Sequence, residues 1–209
     1  MMKLTRKMIA LTTALSLAVP LAAASPGPLP NTAAAADSHI GASAKAGAAA
    51  QSGSVRPATK YFQLMIKGKE ATRKAQLKKG NGYSLYVASG YTFSAAKNKL
   101  YLTNYPKFNA QIQPLPADYD LSKLRKQGTA ELKQYGKVNS YSGDQLFEGP
   151  MSGAQLYLQT SDEKGTHSYV VRKAEDGKSY LFRVSIPESD FAGTFGQIVY
   201  TSLSTISSK

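Results

Sequence analysis

The chain has no cysteine, no tryptophan and only two histidines among its 209 residues. Without cysteine there is no disulfide framework, no lipid-attachment thiol and no thiol nucleophile, so the fold must rest on burial. Beyond residue 60 the sole histidine is His167. No Gly-Xaa-Ser-Xaa-Gly turn or His-Glu-Xaa-Xaa-His helix occurs, and Gly177-Lys178-Ser179 lacks the upstream glycine of a phosphate loop because Arg172 stands in its place. Acidic residues are also scarce, 13 Asp and Glu against 26 Lys and Arg, for a formal charge of +13. Such an imbalance favours anionic partners and says nothing of fold.

Long apolar runs are missing after residue 24, and the one before it has the form of an export signal. Lys3, Arg6 and Lys7 precede Met8 to Ala24, and no further charge occurs until Asp37. This is the pattern of a secretory signal peptide. Small-residue cleavage sites lie at Ala22-Ala23-Ala24 and at Ala34-Ala35-Ala36. The second is preferred because a polar stretch begins at Asp37, which sets the signal peptide at residues 1–36. Pro20, Pro26, Pro28 and Pro30 argue against an uncleaved membrane anchor. Leu29-Pro30-Asn31-Thr32-Ala33 has the form of a wall-sorting signal, but such signals sit near a C-terminus, so the match is read as chance. Residues 37–59 are rich in Ala, Gly and Ser, cannot bury enough apolar surface to offset chain entropy, and read as a tether. His39 lies in it with only Asp37 near as a second metal ligand.

Residues 60–209 suit one domain. Tyr61 to Ile66 reads as a strand. Ala71, Arg73, Ala75 and Leu77 alternate with Thr72, Lys74, Gln76 and Lys78, which favours a second strand over a helix. Gly80-Asn81-Gly82 supplies a tight turn into Tyr83 to Val87, where aromatic and β-branched residues alternate. Leu100 to Thr103 and Phe108 to Leu115 form a further pair linked by Asn104 to Lys107. The period then changes: Leu121, Leu124, Gly128, Leu132 and Tyr135 mark one helical face, with Asp118 or Asp120 as N-cap and Gly136 as stop. Three strands follow, the last two joined at Asp176-Gly177 and ended by Pro187. A closing helix is capped by Ser189 and buries Phe191, Phe195, Ile198, Val199, Ser202, Leu203 and Ile206. The expected fold is α+β, an antiparallel sheet flanked by segregated helices.

The stretches GYSLYV, DYDLSKLRKQGTAELKQYG, GAQLYLQT, SYVVRK, GKSYLFRVSIPES and QIVYTSLSTI follow the element order of the Mog1/PsbP-like superfamily. Over residues 61–206 the chain resembles that superfamily, and more closely exported proteins of Gram-positive spore-formers. The resemblance implies an α/β/α sandwich used for protein contacts or ligand holding, and it carries no catalytic motif to transfer.

Charge is the most informative surface feature. Lys60, Lys67, Lys69, Arg73, Lys74, Lys78 and Lys79 face Glu70 alone within residues 60–79, whereas residues 80–209 hold 14 basic and 11 acidic residues. Lys67, Lys69, Lys78 and Lys79 are expected to crowd one end of the ribbon. The seven cations are the candidate binding residues for an anionic wall or membrane polymer, or for a protein partner. A solvated edge protected by lysine is the plainer reading. Thirteen tyrosines among lysines raise single-stranded nucleic acid as a ligand, yet Tyr83, Tyr86, Tyr101, Tyr157, Tyr169 and Tyr180 are explained by cross-strand packing. Asp162, Glu163 and His167 could poise a base or a cation, but acids and glycine around a hairpin are ordinary turn chemistry. No metal or cofactor is expected. The reading is a secreted, non-catalytic binding domain of the cell envelope, and the alternative is a hydrolase with a carboxylate-based site.

Overall fold

The computed structural model describes residues 56–146 and 149–208, apart from the side chain of Asp144. The stretch read as a signal peptide, the tether up to residue 55 and His39 lie outside the described residues. The order begins β1 (Thr59–Ile66), β2 (Lys69–Lys79), β3 (Tyr83–Ala88), β4 (Tyr91–Ser94), β5 (Lys99–Leu102) and β6 (Tyr105–Pro114). Helix α1 (Leu121–Leu132) and a 3-10 turn at Lys133–Tyr135 follow, then β7 (Asn139–Tyr141), β8 (Ala154–Asp162), β9 (Gly165–Lys173) and β10 (Ser179–Pro187). Helix α2 (Ala192–Ser204) and β11 (Ser207–Ser208) close the chain. All pairings are antiparallel. Among the described residues no helix is long and apolar enough to cross a membrane.

The strands form two sheets, not the single sheet expected: β1-β2-β3-β11 and β4-β5-β6-β10-β9-β8-β7. Gly90, at φ +88, is the corner between them. Before it β3 runs in the small sheet, and just past it β4 belongs to the large one. β3 is buried on both faces. Its Tyr83, Leu85 and Val87 join the core of the large sheet, while Tyr86 and Ala88 face Phe62, Leu64 and Ala75 of the ribbon. Each large apolar side chain so enclosed contributes about 1.5–3 kcal/mol.

Alternation along β8, β9 and β10 divides the large sheet's faces. Leu156, Leu158, Tyr169, Val171 and Leu181 meet α1, and Tyr157, Val170, Tyr180, Phe182 and Val184 lie in the core with Phe195, Val199 and Leu203 of α2. The two helices therefore cover opposite faces. Asp120 caps α1, accepting from the N–H groups of Ser122 at 2.8 Å and Lys123 at 3.0 Å, and these bonds hold its carboxyl below the usual range. Gly128 lets the helix approach, because a Cβ there would come within 2.6 Å of the Tyr169 ring.

Two expectations for α2 are corrected. Phe191 is not buried but 52% exposed, stacked on Tyr105 at 5.9 Å. Ser189 does not cap the helix: its Oγ accepts the Phe191 N–H at 3.1 Å, one turn ahead of the first helical residue. The chain is still in a turn at Phe191, so the apolar face begins with Phe195. Ile206 is buried as expected, just past the helix end.

The β1–β2 turn has Lys67 at φ +50 and Gly68 at φ +73, the positive-φ pair of a two-residue hairpin loop. Lysine is poorly suited to the left-handed region, which asparagine tolerates through local hydrogen bonding. Lys67→Asn is therefore expected to stabilise the domain by about 0.5–1 kcal/mol, measured as a higher urea midpoint at unchanged slope.

Burial also sets an alkaline limit. Tyr83, Tyr91 and Tyr180 are each pushed from 10.0 to about 12, chiefly by loss of hydration. The neighbouring Tyr180 adds to the rise at Tyr83, Asp176 adds to it at Tyr180, and Arg73 opposes it at Tyr91. Because the folded values lie above the unfolded ones, this stability is complete below pH 10 and lost as pH rises towards 12. Absorbance at 295 nm with parallel circular dichroism is expected to show these tyrosines ionising late, together with loss of the fold.

Candidate functional site

An open groove of about 1100 Å³ lies where the ribbon meets the end of α2 and β11. Its lining includes Arg56, Lys60, Lys79 and Arg172, and Glu175 is the acid among the lining residues. The ion pair found among the described residues is elsewhere, Arg183 with Glu131 at 2.9 Å. The groove's four cations thus have no carboxylate partner among the described residues.

The two arginines are placed by the helix end. The last carbonyls of an α-helix lack partners within it and carry partial negative charge. Arg172 donates from Nη1 to Ser204 O at 3.2 Å, and Arg56 from Nη2 to Thr205 O at 2.6 Å. Arg56 also donates from Nη1 to Ser84 O at 3.0 Å and to Ser84 Oγ at 2.8 Å. Its guanidinium stands 4.7 Å from the centre of the Tyr86 ring, a cation–π distance. The Tyr86 hydroxyl donates to Pro57 O at 2.8 Å, and the Tyr86 N–H donates to Thr205 Oγ1 at 2.9 Å. Arg56 to Thr59, read from sequence as the end of the tether, are thus part of the domain, with Thr59 the first residue of β1.

Arg172 is the more constrained of the two. Its Nε is buried without a hydrogen-bond partner among the described residues, and burial lowers its pKa against the opposing pull of Glu175. Removing a guanidinium from water is costly unless other groups or a ligand replace the lost hydration. Lys60 and Lys79 are exposed, and the Lys60 Nζ lies 5.8 Å from the Tyr86 ring centre. The groove therefore combines two fixed guanidinium groups with two solvated ammonium groups.

The ribbon cations do not act as one cluster. β2 runs eleven residues from Lys69 to Lys79, so Lys67 and Lys69 lie at the opposite end from Lys78 and Lys79. At about 3.3 Å per residue the two ends are on the order of 30 Å apart. The expected crowding at one end is thereby corrected. It failed because β2 is one uninterrupted strand whose two ends both carry lysine. Lys60 and Lys79 enter the groove. Arg73 pairs with Phe62 in the register, Lys74 with Tyr61, and Lys78 donates to Gln76 Oε1 at 3.0 Å. Lys67 instead lines a smaller concavity beside Asp190 and Tyr200.

Asp162 and His167 are engaged locally. Asp162 Oδ1 accepts the N–H groups of Lys164 at 2.8 Å and Gly165 at 3.1 Å, an ordinary turn device. His167 stacks on Tyr135 with ring centres 3.7 Å apart, and burial lowers its pKa more than the charge of Asp162 raises it. Neither residue lines the groove.

What this geometry defines is an antiparallel α+β domain with a basic groove at one end of a ribbon. Residues 56–207 match the family model described as a domain of unknown function, DUF8580, and the chain belongs to that family. The match begins at Arg56, whose guanidinium is bonded to Ser84 and Thr205. No curated protein matches the chain.

Proposed function

We propose that the protein is a non-catalytic binding domain exported to the cell envelope, where its groove holds an anionic wall or membrane polymer. The observation that carries the reading is the set of four cations lining one concavity without a carboxylate partner among the described residues. Export follows from the basic and apolar pattern of residues 3–24. Solvated lysines beside guanidinium groups already tied to carbonyls suit repeated, diffuse negative charge better than a single small anion. The carboxylate hydrolase reading has less support, because the acid among the groove's lining residues is Glu175 and Asp162 serves a turn. The placement of α1 and α2 on opposite faces of the large sheet supports relating the domain to Mog1/PsbP-like sandwiches.

Cosedimentation with anionic vesicles and with purified wall polymer, across a salt series, tests the reading. The wild-type chain is expected to be recovered at low salt and released as salt rises, with weaker recovery of a Lys60→Ala/Lys79→Ala variant. Equal recovery of both proteins, indifferent to salt, contradicts it.

A further inference from the structure

Edge strands expose backbone N–H and C=O groups, and natural proteins blunt them by shortness, proline, bulges or charge. Of the four edges among the described residues, β4, β7 and β11 have four residues or fewer. β1 is the exception. Its eight residues, TKYFQLMI, contain no proline, pair with β2 without a register shift, and include one charged residue, Lys60. It also carries Tyr61, 59% exposed, and Met65, 53% exposed.

The direction of its free hydrogen bonds follows from one contact. Ala58 O accepts Leu77 N–H at 2.9 Å, so residues of even number in this stretch turn their amides toward β2. Tyr61, Gln63 and Met65 therefore present their N–H and C=O groups at the open edge. The same three residues have exposed side chains on the face away from Phe62 and Leu64.

We propose that β1 is a dimerisation edge, pairing antiparallel with β1 of a second copy about a twofold axis through Gln63. In that register the outward amides of Gln63 meet their own mates, and Tyr61 stands opposite Met65 of the other copy. The two most exposed large apolar residues of the strand cover each other, as an aromatic ring against a thioether. Lys60 falls opposite Ile66, so no like charges are opposed. Across the four strands one row reads Lys74, Tyr61, then Met65 and Glu70 of the second copy, with base and acid at its two ends. Shifting the register by two residues in either direction sets Tyr61 against Gln63 or Lys67 and loses this match. Gln63 accepts the Thr72 hydroxyl on its Oε1 at 2.8 Å, which leaves its amide N–H groups to donate across the axis. The inference is independent of what the groove binds, although pairing joins two grooves in one particle and raises avidity for a polymer.

The absence of cysteine makes the test direct. Hydrogen-bonded residues in an antiparallel pair have Cα atoms about 5.5 Å apart, within disulfide reach. Gln63→Cys is expected to form a covalent dimer on mild oxidation. Thr72→Cys, about 14 Å from its mate across three strand spacings, is expected not to. In sedimentation the wild-type chain is expected at twice the mass of one chain. Gln63→Pro, which removes an outward N–H and the acceptor of the Thr72 hydroxyl while leaving the β1–β2 ladder bonds in place, is expected at one mass and still folded by circular dichroism. A wild-type monomer at all concentrations overturns the proposal, as does a dimer that Gln63→Pro leaves intact, or equal cross-linking by the two cysteine variants. A β1 edge reserved for a strand of another protein gives the first of these results.

Discussion

Gly165→Ala is expected to cost the domain about 3–4 kcal/mol, a large share of the 5–15 kcal/mol typical of a folded domain. Gly165 opens β9 at φ +140, directly opposite Pro187. A Cβ there would lie 2.2 Å from Ile186 O, 2.8 Å from Pro187 Cα and 3.0 Å from Glu188 N. All three are backbone atoms of the strand end, so no side chain can swing aside. The left-handed conformation costs roughly 1–2 kcal/mol for a residue with a Cβ, and forcing the strands apart adds about 1–3 kcal/mol. Separation also strains the bond from Glu188 N to Lys164 O, 2.9 Å long. Gly153→Ala is the control, because Gly153 has φ +76 but open space around it. Urea unfolding is expected to place Gly165→Ala well below Gly153→Ala; equal midpoints remove the steric argument.

Neutralising the two groove lysines is expected to weaken polyanion binding about 25-fold at 0.1 M salt, at constant fold stability. Each cation engaged on a flexible phosphate polymer changes the slope of log K against log salt by about 0.7. Removing two changes it by about 1.4, which across one decade of salt is about 25-fold. Lys60 and Lys79 are exposed and neither pairs with an acid among the described residues, so their loss strands no buried group. Truncating Arg56 or Arg172 would not be so clean, because both also hold the end of α2.

Local structure was legible wherever one segment carried its own period. The alternation from Ala71 to Lys78 identified β2 against the helix-forming composition of that stretch. Of Asp118 and Asp120, the two N-cap candidates, Asp120 caps α1; Gly136 ends its terminal turn, and Asp176 stabilises the turn it was read to form, accepting Lys178 N–H at 2.9 Å. What could not be read was which strands pair beyond hairpins. The second sheet depends on β3 being wanted on both faces, and β4 and β11 are too short to show a period. The groove divides in the same way. Lys60 and Lys79 belonged to the basic stretch, but Arg56 reaches Thr205 across 149 positions and Arg172 reaches Ser204 across 32. Arg172, placed directly after the apolar run Tyr169 to Val171, was the one available sign, and Arg56 offered none.

The salt dependence of polyanion binding tests the groove most directly. Affinity for a soluble polyphosphate is measured from low to moderate salt for the wild-type chain, for Lys60→Ala/Lys79→Ala, and for Lys67→Ala/Lys69→Ala at the far end of the ribbon. A groove that holds the polymer predicts a slope reduced by about 1.4 in the first variant and a wild-type slope in the second. Equal slopes for all three proteins, or the larger loss in the far-end variant, contradict it.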